Sequence, residues 1–243
     1  MDDYADFRRS ASDPSASIFQ RIYSSTADAI HWVSLRRNAL VIGTAQDEWF
    51  VTNFGTSASR VDRASSHGSD NVANVDLGDS MIFIQGGGEI VRDFVGIDTQ
   101  LDLQRDPNIA LELTWAAEHI TKGGVTSMAV IQKPQPMVLF VVDNQVIAVT
   151  YDRVSGVLGW HRHPTDGTVY DVCVIPGCCG DEPWFSVERD GTTRIERWHP
   201  ETAERAFDNE PEKCLFLDAG KVVYDAVATD TITGLEHLEG MTV

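Results

Sequence analysis

Three things are scarce in this sequence, and each shortage excludes a class of protein. The first is positive charge. Of 243 residues, 19 are Lys or Arg and 37 are Asp or Glu, a formal net charge of −18. Proteins that grip nucleic acid or an anionic membrane recruit phosphate with surplus Lys and Arg, and here the balance repels it. The second is cysteine. Cys173, Cys178, Cys179 and Cys214 are the four present, three of them crowded into one stretch. A secreted disulfide framework spreads more cysteines along the chain. No Asn-x-Ser/Thr sequon occurs either, so the pattern reads as a protein made and kept in a reducing cytoplasm. The third is long apolar runs. The longest spans Met137 to Val142, far short of the roughly 20 residues a membrane-spanning helix needs. The acidic start lacks a basic region followed by an apolar one, so it is no signal peptide.

What remains is 42% hydrophobic, enough to bury a core, and the length fits one large all-β domain or two smaller ones. The dominant pattern is short β-type segments broken by Gly, Asp and Asn turns. Residues 39–44 and 49–52 flank the polar stretch 45–48, with aromatic and β-branched residues on both arms. The phrase recurs three times. Residues 81–84 lead through Gln85, Gly86, Gly87, Gly88 and Glu89 into 90–94. Residues 138–142 turn at 143–145 into 146–151, and 184–189 turn at Asp190 and Gly191 into 192–198. The turn centres near 46, 87, 144 and 190 stand about 41, 57 and 46 residues apart, the period of a propeller blade of about four strands. Residues 128–131 and 169–175 supply outer strands for the third and fourth blades. A β-sandwich of hairpins is the competing architecture.

One segment breaks this rhythm. Asp106, Pro107 and Asn108 precede a run of helix formers, and Lys122, Gly123 and Gly124 stop it. The reading is a short helical insertion at 106–121 between the second and third hairpins. Residues 98–103 read as loop, and 26–37 fit a helix turn or a strand equally well. The tail from Gly234 to Val243 enters a fresh β-like segment and stops, so the reading is one propeller-like domain over 1–243, a fragment of a longer chain.

Each chemistry-bearing pattern in the sequence has a structural alternative. Gly86, Gly87 and Gly88 join two strands and open no helix, so a turn needing positive φ explains them better than a phosphate cradle. Cys173, Cys178 and Cys179 lie near His161 and His163, and zinc takes four such ligands. A Cys-x-x-Cys pair is missing and adjacent cysteines chelate poorly, so free thiols in a turn are the reading. Alternation puts His161 and His163 on one face of a strand, with Trp160 and Arg162 on the other. Such a pair suits a metal or a pH sensor, but it is more often simply the polar face of a blade strand. Asp181 and Glu182 resemble a glycosidase pair, yet chance supplies many such pairs among 37 acids. No hydrolase elbow, zinc-protease helix, Walker loop or EF-hand is present. The expectation is a protein that is not an enzyme, with no catalytic, cofactor-binding or metal residue assigned.

Several phrases taken together point to a family. They are Leu40-Val41-Ile42-Gly43-Thr44 followed by Glu48-Trp49, and Val149-Thr150-Tyr151-Asp152 leading to Gly159-Trp160-His161-Arg162-His163. Thr165-Asp166-Gly167, Glu196-Arg197 and the closing Gly234-Leu235-Glu236-His237-Leu238-Glu239-Gly240 complete them. From about Asp6 to the last residue the chain resembles the tail nozzle proteins of short-tailed bacteriophages, also called tail tubular protein B. The resemblance implies a virion component with a β-propeller body, assembled in the bacterial cytoplasm. It implies a ring, thought to be a hexamer, below the portal and adaptor, which extends the DNA ejection channel and helps hold tail fibres. Family members are much longer, so the resemblance also implies that parts forming the channel tip or binding partners are absent. A wall along which DNA slides should not hold phosphate tightly, and part of the −18 is expected to line such a channel. The alternatives are a carbohydrate- or protein-binding propeller with Trp184 or Trp198 exposed as a recognition surface, and a glycan hydrolase.

Overall fold

The computed structural model describes residues 22, 24, 28–36, 39–53, 59–78, 80–94, 110–177 and 180–198. They form four antiparallel sheets, each a meander whose strands follow chain order. Blade 1 is β1 (Ile30–Arg36), β2 (Ala39–Thr44), β3 (Glu48–Thr52) and β4 (Arg60–Ser65). Blade 2 is β5 (Val75–Leu77), β6 (Ser80–Ile84), β7 (Val91–Phe94) and β8 (Ala110–Glu112). A four-residue helix, α1 (Glu118–Thr121), precedes blade 3, which is β9 (Val125–Ile131), β10 (Met137–Val142), β11 (Gln145–Asp152) and β12 (Val157–His163). Blade 4 is β13 (Thr168–Pro176), β14 (Asp181–Arg189) and β15 (Thr192–Arg197), three strands among the described residues. The first strands of blades 2, 3 and 4 lie beside one another, and Arg36 of β1 reaches Asp76 of β5 at 3.5 Å. The architecture is an all-β, propeller-like array.

Turn chemistry sets the hairpins. Val142 pairs with Gln145 across a two-residue loop in which Asp143 and Asn144 have φ of 50° and 61°. Arg189 pairs with Thr192 across Asp190 and Gly191, with φ of 51° and 71°. Two consecutive left-handed residues match the right-handed twist of the flanking strands, and Asn, Asp and Gly reach that region at least cost. All four hairpins expected from the sequence are present, and each contains the second and third strands of its blade.

Alternation then decides packing, because every strand sends successive side chains to opposite faces. Met81 and Phe83 of β6 join Val41, Phe50 and Trp32 of blade 1 in the first seam. Ile82 and Ile84, from the other face of β6, join Val138, Phe140, Ile147 and Val149 of blade 3 in the second. Leu139, Val141, Val146 and Ala148 join Val169, Val172, Phe185 and Val187 of blade 4 in the third. Blades 2 and 3 are thus buried on both faces, so β6 and β10 read as continuous apolar runs. Each fully buried Phe or Ile contributes about 1.5–3 kcal/mol of transfer free energy. Close approach fixes one glycine: a Cβ at Gly43 would lie 2.2 Å from the Trp32 ring. A pair of sheets facing each other would make one core, whereas here each blade packs on the next in sequence. That removes the β-sandwich.

Two readings need correction. The helical insertion at 106–121 is mostly absent from the described part. Residues 106–109 lie outside the described residues, Ala110, Leu111 and Glu112 are strand β8, and helix is confined to 118–121. The helix formers yield to the edge of β7, where Ala110 enters the first core and Glu112 meets Arg92 at 3.3 Å. The undecided stretch 26–37 is strand from Ile30 to Arg36, paired along β2, with 26, 27 and 37 outside the described residues. The loop reading at 98–103 and the tail from Gly234 also lie outside them.

Candidate functional site

Among the described residues, the buried acids and the histidine pair with unusual environments sit in the seams between blades. In the first seam Glu48, fully buried, accepts hydrogen bonds from the hydroxyls of Ser69 at 2.9 Å and Ser65. Burial raises its pKa, and the two serines only partly offset this. Across the seam Arg92 donates to Gln85 Oε1 at 2.6 Å, to the Ala110 carbonyl at 3.0 Å and to Glu112 at 3.3 Å. Burial of His67, and then the nearby Arg92 guanidinium, keep that imidazole below the ordinary histidine range.

The second seam holds Asp93, also fully buried. Its Oδ2 accepts from Tyr151 Oη of blade 3 at 2.8 Å and from Ser80 Oγ at 2.9 Å. Burial raises the Asp93 carboxyl, and burial plus the Asp93 charge push the Tyr151 phenol well above its usual value. A buried carboxyl beside a phenol is a pattern seen in catalysis. Here both groups face each other across packed sheets, and each is used to dock its blade.

The third seam carries the expected histidine pair. His161 Nδ1 and His163 Nε2 are 2.7 Å apart, so one proton lies between the two rings. Thr150 Oγ1 lies 3.2 Å from His161 Nε2, and the His163 ring sits 4.7 Å from that of Trp198, which in turn packs 5.4 Å from Phe185. Burial, then the neighbouring His161, lowers His163 to about 4. A histidine depressed in the fold but ordinary when unfolded takes up a proton preferentially on unfolding. Its contribution is therefore complete above about pH 6.5 and is lost as pH falls toward 4. Glu48 and Asp93, both raised, act in the opposite sense. His163→Phe is expected to flatten the acid-side fall, seen as a smaller difference in urea midpoint between pH 7 and pH 4.5 than in the unchanged protein.

The other sequence candidates are scattered. Cys173 is a free, exposed thiol on β13, and Cys178, Cys179 and Cys214 lie outside the described residues. Among the described residues no group of three or more metal-ligating side chains forms. Asp181 and Glu182 point to opposite sides of β14. Asp181 accepts the backbone N–H groups of Gln132 and Lys133 at 2.6 and 3.0 Å, clamping blade 4 to blade 3, whereas Glu182 pairs with Arg197 at 3.0 Å. Gly86, Gly87 and Gly88 form a turn with φ of 103° and 81° at the last two, and the Gly88 carbonyl accepts from Val125 N at 2.8 Å. Trp184 and Trp198 are half-buried rather than displayed, because Arg197 lies 5.4 Å over the Trp184 ring and Trp198 closes the third seam. The exposed tryptophan is Trp115, 69% accessible, near the outer edge of blade 2. Glu48, Arg92 and Asp93 belong to no sequence motif of a site, though adjacent Arg92 and Asp93 inside an apolar strand signal one buried polar group per face. The first strands of the blades carry only Asp76 and Asp171 as carboxylates, so the acidic surplus is not on them.

No protein-family model matches this chain, and no curated protein does. Among solved structures it is similar to Hsv2 of Kluyveromyces lactis, with 11% identity over 79% of this chain and 53% of that one, at a TM-score of 0.46. A second structure of that protein matches at 0.45, again at 11% identity, over 79% and 54% of the two chains. The N-terminal domain of Nup159 matches at 0.37, with 8% identity over 69% and 47%. This chain spans about half the length of those three structures. Among its described residues no helix is long and apolar enough to cross a membrane.

Proposed function

We propose that this chain is a non-catalytic, propeller-like interaction module, and that its setting is the tail nozzle of a short-tailed bacteriophage. The observation that carries the reading is what the family-like phrases do in the fold. Trp160 stacks on Phe140 at 5.4 Å and donates its indole N–H to the Leu113 carbonyl at 3.1 Å, tying β12 to the end of blade 2. His163 packs on Trp198, and Arg162 reaches the His119 carbonyl at 3.4 Å. Glu48 and Tyr151, from two other such phrases, anchor the first and second seams. These residues hold blades together, which suits a scaffold whose output is shape. The acidic net charge suits a wall that DNA passes without being held.

Virions of the phage encoding this chain provide the test. Peptides of this chain are expected in purified particles, and a specific antibody is expected to label the tail end opposite the head. Finding the chain in the lysate but absent from particles would remove the tail setting and leave the module.

One observation favours a second reading, recognition of a glycan or a protein. Trp115 and Leu111 are 69% and 49% exposed, and an exposed indole face is a stacking platform for a sugar ring. Binding on a glycan array that disappears in Trp115→Ala would favour it.

A further inference from the structure

Among the described residues, blade 4 buries one face and has no further sheet on the other. Val169, Val172, Phe185 and Val187 fill the third seam. On the opposite face Cys173, Trp184 and Arg197 form one cross-strand row, flanked by Ile175 and Ile195. Ile175 and Ile195 are 51% and 68% exposed, and Tyr170, hydrogen-bonded to Glu188 on the same side, is 47% exposed. At every other seam this is the face on which the following blade stacks, with apolar side chains of alternating parity on both sheets. Blade 4 offers a mixed version of that face, with Cys173, Ile175, Trp184 and Ile195 interspersed among Glu182, Ser186, Glu188 and Arg197, and among the described residues it ends at β15 where the other blades have a fourth strand.

We propose that this open face is a docking surface for the segment of the same chain that follows Trp198, residues 199–243. Its length is close to the 41, 57 and 46 residues that separate the centres of successive hairpins. Its sequence carries apolar runs at Cys214-Leu215-Phe216-Leu217 and Val222-Val223-Tyr224 around Gly220. That is the strand, turn, strand phrase of the other blades, with Gly at the turn. Tethering at Trp198 gives the segment an effective concentration in the millimolar range, which a second copy reaches only in concentrated solution. Covering Ile175, Ile195 and the rim of Trp184 supplies the driving force. The surface belongs to the blade itself and holds in any biological setting, so its test is separate from the virion experiment.

Cys173 sits on this face and serves as the probe. In the full chain Cys178, Cys179 and Cys214 are replaced by Ser, Cys173 is labelled with a benzophenone maleimide, and the protein is irradiated. The expected product is an intramolecular crosslink, running as a monomer, whose second peptide maps within 199–243. Ile195→Asp, exposed and outside the third seam, is expected to lower that crosslink about tenfold by placing a carboxylate in the apolar contact. Its near-ultraviolet dichroism is expected to match that of the labelled parent, which separates lost docking from lost folding. Crosslinks confined to residues before 199, or a product of twice the monomer mass, would overturn the assignment. So would a crosslink yield unchanged by Ile195→Asp.

Discussion

Phe140→Ala is expected to destabilise the protein by about 3–5 kcal/mol, the largest loss from any single truncation proposed here. Phe140 is fully buried in β10, the second strand of the blade that packs on both neighbours. Its ring stacks on Trp160 at 5.4 Å and shares the second core with Ile82, Val91 and Ile147. Truncation removes the transfer free energy of the ring and leaves a void between two sheets, each held in place by its own second face. Neither sheet can collapse inward without opening the seam behind it, so the cavity persists. Urea unfolding at pH 7 should show a lower midpoint with an unchanged slope. A change under 1 kcal/mol would mean that the seam between blades 2 and 3 is loosely packed.

Arg92→Ala follows, at an expected cost of about 3 kcal/mol. The guanidinium spans Gln85, the Ala110 carbonyl and Glu112, and so connects β7, the Gly turn and the short strand β8. Alanine leaves three acceptors facing a largely buried space, and it also removes a cation on the same seam as buried Glu48. Glu48 should then be harder to ionise. The variant should therefore lose more stability at pH 8 than at pH 5, because a carboxyl raised further in the fold costs stability as pH rises. Arg92→Lys provides the control, since one ammonium retains the charge but reaches fewer of the three acceptors. Partial recovery by Lys at pH 8 separates charge from hydrogen bonding. An Ala variant as stable as its parent at both pH values would show that this network contributes nothing to holding β7, the Gly turn and β8 together.

The contrast between legible and illegible elements follows from range. The hairpins at 39–52, 138–151 and 184–197 announce themselves because alternation and turn residues act over a few neighbouring positions. Strand β8 did not, because Ala110, Leu111 and Glu112 have helical propensity and only the distant edge of β7 makes them extended. Strand β5, three residues long, is too short to show a period. The histidine pair shows the same division within one feature. Period-two alternation placed His161 and His163 on a common face, but not that Trp198, 35 positions beyond His163, would cover it. Likewise Trp184 and Trp198 read as display residues in the sequence, whereas in the fold Arg197 and the third seam occupy them.

The opening shortage of positive charge keeps a limited meaning. Composition by itself determined that the chain has no surplus of cations with which to hold phosphate, and local patterning determined an all-β chain of repeated hairpins. Both depend on residue identity and near neighbours. Tertiary structure alone decided which face of each strand is covered, and so which carboxylates are counter-ions and which, like Glu48 and Asp93, are buried anchors. The reason is physical: a side chain's charge is written in its sequence, but its dielectric surroundings are set by whichever sheet packs against it.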